Sequence, residues 1–94
     1  MSENSQRMSL TAEQTKIVLL QFSEVLAAFA RQLPDGNERL AELVNDAATS
    51  IKELAADVAG SDQDVATEIV MSTARLVGAV RKAVTARRAT PTVH

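Results

Sequence analysis

Ninety-four residues, 46% hydrophobic and 23% charged, fit one small globular domain and exclude a disordered or fibrous chain. The absence of cysteine rules out disulfide staples and thiolate-bound structural zinc. The net charge of −2 is unevenly spread: all twelve acids lie in residues 1–74, whereas Arg75, Arg81, Lys82, Arg87 and Arg88 make residues 75–94 wholly basic.

Residues 1–10 are polar and lack the apolar core of a secretory signal, which favours the cytoplasm, and they should fray. Thr11-Ala-Glu-Gln14 has the form of a capping box and opens a first helix over 11–33. Pro34 stops it, because proline disfavours helical geometry in the residue before it. Val18, Leu19, Phe22, Val25, Leu26, Phe29 and Leu33 fall on one broad face. The longest apolar stretch, Ile17 to Ala30, is interrupted by Gln21, Ser23 and Glu24, so it is too short and too polar to span a bilayer.

Asp35-Gly-Asn-Glu38 is a near-capping box ahead of a second helix over 37–58. Leu40, Leu43, Val44, Ala47, Ile51, Leu54 and Val58 form its apolar stripe, with Glu38, Glu42, Asp46, Glu53 and Asp57 roughly opposite. Ala59-Gly60-Ser61 should end it, with Gly60 in the left-handed conformation glycine tolerates. Ser61-Asp-Gln-Asp64 then caps a third helix over 62–87. Val65, Ile69, Val70, Thr73, Leu76, Val77, Val80, Ala83 and Val84 make up its main stripe, and its acidic start and basic end complement the macrodipole.

Two short connections imply antiparallel neighbours, so the expected fold is an all-α, up-down-up three-helix bundle over 11–88. Tails over 1–10 and 89–94 flank it. Two aromatics, Phe22 and Phe29, and much alanine give each buried position little area. Self-association, as a homodimer, is the expected remedy.

The chemical inventory is thin. The only histidine is His94, the last residue, where neither geometry nor desolvation is controlled. There is no tyrosine either, and the Ser, Thr and Lys side chains have no candidate base at a recognised spacing. Glu38, Glu42 and Asp46 stack at successive turns, but no Glu-x-x-His accompanies them. Asp62, Asp64 and Glu68 lack EF-hand spacing, and Gly36, Gly60 and Gly78 make no phosphate loop. No catalytic, cofactor-binding or metal-ligating residue is assigned, and a non-enzymatic protein is expected.

Two surfaces remain. Arg81 and Arg88 lie seven apart on one side of the third helix, and Arg75 and Lys82 seven apart on another, a basic set that could meet an acidic partner. Macrodipole complement and solubility explain it more simply than nucleic-acid binding does, since aromatics are not interleaved and the whole is acidic. Met71, Ala74, Gly78 and Thr85 turn away from the main stripe, as do Ile17 and Leu20 on the first helix. A mid-helix glycine costs about 1 kcal/mol relative to alanine. Gly78, one turn after Ala74, thus marks a small-residue ridge suited to close helix packing. Ile17, Leu20, Met71, Ala74 and Gly78 are the expected partner or dimer contacts.

The run from Leu40 to Leu54 resembles the alanine-rich amphipathic helices of chemoreceptor signalling domains and of the talin and vinculin rods. That resemblance covers one helix and implies helix packing alone. Length and helical content are also similar to the helical hairpins exported by type VII secretion systems, whose Trp-x-Gly turn is absent because the chain has no tryptophan. The expected function is a protein-protein interaction module: an adaptor, regulator or assembly subunit. The alternatives are a small nucleic-acid-binding regulator and an exported helical effector.

Overall fold

The computed structural model describes residues 10–89, which form three α-helices: α1 (Ala12–Gln32), α2 (Glu38–Ala59) and α3 (Gln63–Ala89). Among these residues there is no strand. The elements pack as an up-down-up bundle, each boundary within two residues of the sequence expectation. The two tails lie outside the described residues apart from Leu10 and Ala89. Leu10 is half-buried, and its carbonyl accepts a bond from Gln63 Nε2 at 3.4 Å, so this end of the expected tail is tied down. Ala89 still belongs to α3.

The helix starts differ in how they are held. Thr11 caps α1 as expected: Gln14 N–H donates to Thr11 Oγ1 at 3.1 Å, and Thr11 N–H donates back to Gln14 Oε1 at 3.0 Å. This reciprocal pairing satisfies two otherwise orphaned donors. At α2 the expected Asp35 cap is not used. Asn37 occupies the cap position without a side-chain cap bond, and its Nδ2 instead donates to Pro34 O at 3.0 Å. Glu38 reaches back to accept from Gly36 N–H at 3.2 Å.

Ser61 likewise does not cap α3. Its hydroxyl points backwards and donates to Val58 O at 2.7 Å, satisfying the end of α2, while the Asp62 carbonyl takes the first bond of α3, from Ala66 N–H at 2.9 Å. The left-handed glycine is also not the expected one. Gly60 closes α2 at φ −90°, ψ 0°, whereas Gly36 has φ 94°. The α2–α3 connection stays near helical geometry at Gly60, and the reversal after Pro34 takes the positive φ at Gly36.

Packing is unequal. α1 lies mainly on α2 and less on α3, while α2 and α3 barely meet. One core cluster joins Leu19, Ala55, Val58 and Ala66 from all three helices; a second joins Leu26 and Ala30 to Val44 and Ala48, with Val77 and Val80 of α3 against it. Ser23 sits inside this seam, its hydroxyl donating to Ala48 O at 2.7 Å. Small side chains here let two backbones approach closely. As a result the buried face of α1, made of Thr15, Leu19, Ser23, Leu26 and Ala30, is rotated by about 60° from the stripe centred on Phe22 and Phe29. Thr73, also buried, satisfies its hydroxyl within α3 by donating to Ile69 O at 2.7 Å.

Candidate interaction surface

Alanines and small polar residues fill much of the interior, while several of the largest aliphatic side chains remain outside. Leu43 and Leu54 of α2 are 58% and 52% exposed, and Val65 and Leu76 of α3 are 47% and 39% exposed. Periodicity assigned all four to core stripes, but they occupy one edge of those stripes. On α2 the buried residues Val44, Ala48, Ala55 and Val58 lie about 90° from Leu43 and Leu54, and on α3 Ala66, Thr73 and Val84 lie about 80° from Val65 and Leu76.

Both edges turn toward the same side of the molecule. The α1-facing side of α2 carries Asn45, Thr49 and Lys52, which line a groove of about 350 Å³ against Leu20, Ser23 and Ala27 of α1. Its other side, with Leu40 and Val44, lines an apolar groove of about 140 Å³ against Ala79, Val80 and Ala83 of α3. Leu43 lies beyond that second groove on α2 and Leu76 just ahead of it on α3, while Leu54 and Val65 lie further along toward the α2–α3 connection. Together they make an oily face on the α2–α3 pair, turned away from α1. The available sequence signal was the alanine pair Ala48 and Ala55, seven apart, which competes with the leucines for the centre of the stripe.

The contact residues expected from sequence are divided by the fold. Leu20 is half-buried, packs on the Leu19 cluster and lines the α1–α2 groove. Ile17 is exposed, about 160° from the buried centre of α1. Met71, Ala74 and Gly78 are exposed on the flank of α3 opposite Val65. A Cβ added at Gly78 meets nothing within 4 Å, so among the described residues no element makes the close approach this glycine suggests.

The basic residues are divided too. Arg75 pairs with Glu68 at 3.9 Å and donates to Ser72 Oγ at 3.3 Å. Arg88 donates to Gln32 Oε1 at 3.2 Å, and Arg87 to Asn37 Oδ1 at 2.9 Å, fastening the end of α3 to the α1–α2 connection. Arg81 and Lys82 are exposed and have no hydrogen bond or ion pair among the described residues.

On α2 the acidic residues Glu38, Glu42, Asp46, Glu53 and Asp57 are all exposed. Glu38 has its pKa lowered from 4.5, first by its own backbone N–H and then by that of Gly36. Among the described residues no three His, Cys, Asp or Glu side chains are grouped to hold a metal ion; His94 lies outside them. No helix there is long and apolar enough to cross a membrane. Comparison with protein-family models, curated proteins and solved structures finds no match.

Proposed function

We propose that the chain is a non-enzymatic helical interaction module, an adaptor, regulator or assembly subunit, that acts as a homodimer. The observation that supports this reading is the inverted use of side chains: Leu43, Leu54, Val65 and Leu76 are exposed while alanine and serine are buried. In water each exposed aliphatic forgoes about 25 cal/mol per Å² that burial would return, so a partner that covers them gains what folding alone leaves unused. Sedimentation velocity of the full chain over a wide concentration range tests the reading. A sedimentation coefficient rising toward that of a two-chain particle is expected; a monomer at every concentration contradicts self-association.

A second reading, binding to nucleic acid, rests on Arg81 and Lys82, whose charges find no partner within the described residues. Labelled duplex that binds, weakens steeply with salt and is released by Arg81→Ala with Lys82→Ala would favour it.

A further inference from the structure

We infer that the outer face of the α2–α3 pair is covered by the same face of a second copy, with α2 of each protomer lying on α3 of the other to form a four-helix core. This rests on the self-associating reading above and assigns it a surface and a pairing. Shape is the first argument. At about 1.5 Å per residue and ~10 Å per helix, two helices of this length present a face about 30 Å long and about 20 Å wide. That approaches the roughly 800 Å² per partner of a stable interface. A two-fold axis also makes the patch self-complementary, so the same four aliphatic residues meet their counterparts.

Charge selects between the two ways of stacking this face. The edge of α2 beyond Leu43 and Leu54 carries Asp46, Glu53 and Asp57, with Arg39 at its start; the edge of α3 beyond Val65 and Leu76 carries Arg75 and Lys82, with Asp64 and Glu68 nearer its start. Within the chain Val44 shares a groove with Val80 and Val84, and Val58 a core cluster with Ala66, which sets the antiparallel register to within about a turn. A two-fold axis parallel to the helices preserves these heights, setting the other copy's Arg75 between Asp46 and Glu53 and its Lys82 within about a turn of Asp46, with Asp57 beside Glu68 as the opposing like-charge contact. An axis across the helices stacks α2 on α2 antiparallel and sets Asp46 against Glu53 twice, which is repulsive. Either stacking leaves every helix of the new core antiparallel to its neighbours, as in four-helix bundles, so charge is what separates them.

Light scattering after size exclusion, with circular dichroism as the fold control, tests the face. Wild type at high concentration is expected at twice the chain mass. Leu43→Glu with Leu76→Glu is expected at the single-chain mass with helicity unchanged, since both side chains are already exposed in the protomer. A double variant that stays dimeric, while Gly78→Leu becomes monomeric, overturns the assigned face and leaves self-association standing. A monomeric wild type overturns both. Glu53→Arg should weaken the dimer several-fold, and adding Arg75→Glu should restore it; a combined variant no tighter than Glu53→Arg overturns the α2-on-α3 pairing.

Discussion

Gly36, Gly60 and Gly78 are the same residue in three physical situations, and their replacement separates them. Gly36 has φ 94°, so Gly36→Ala forces a side chain into a conformation that costs about 1–2 kcal/mol. Gly60 is near helical geometry, and an added Cβ meets only ordinary contacts at 3.6 and 3.8 Å, so Gly60→Ala should be neutral or stabilising by up to about 1 kcal/mol through the unfolded chain. Gly78→Ala should stabilise the protomer by about 1 kcal/mol, because open space surrounds it within an α-helix. Urea unfolding of the three variants at low protein concentration checks the order. At Ser23 the hydroxyl bond to Ala48 O and the tight seam both matter. Ser23→Ala should cost about 1 kcal/mol, and Ser23→Leu more, through overpacking. Glu38 offers a pH signature: its pKa is lowered in the folded state, so its contribution is present above 4.5 and is lost as pH falls through the folded value. The acid-induced fall in Tm should therefore be shallower in Glu38→Gln than in wild type.

At the scale of elements, helix number, order and approximate length were legible because each segment carries its own period and stop signals. Pro34 and Gly60 mark the reversals, and Thr11 and Gln14 pair as their spacing demands. The caps of α2 and α3 were less legible. Asp35 and Ser61 are good cap residues by type, but the turn geometry places Asn37 and Asp62 at the cap positions. Face assignment was least legible, since a stripe of large apolar residues in sequence says that a helix packs without saying which edge goes inward. Ser23, Ala48 and Ala55 decided that through close approach, and this displaced Leu43 and Leu54 outward. The end of α3 is tied to the α1–α2 connection by Arg87 and Arg88. Arg87→Ala with Arg88→Ala should speed hydrogen exchange in the last turns of α3 with little change in Leu19 and Leu26 segments, because only exposed contacts are lost.

At the scale of the whole molecule, the bundle is closed on the α1 side and open between α2 and α3. Leu26 is fully buried, so Leu26→Ala should cost about 2–5 kcal/mol at any concentration. Leu43→Ala should cost under about 0.5 kcal/mol in dilute protomer, with a larger penalty appearing only where the second copy is bound. Concentration-dependent thermal melts separate the two, since association stabilises by mass action.

The α2-on-α3 pairing has a direct test, made clean by the absence of native cysteine. Two differently tagged chains, one Glu53→Cys and one Arg75→Cys, are mixed and treated with a short bismaleimide. The pairing predicts a mixed-tag covalent dimer in high yield and little from either variant alone. Efficient cross-linking of Asp46→Cys chains to Glu53→Cys chains, with none between positions 53 and 75, would contradict it.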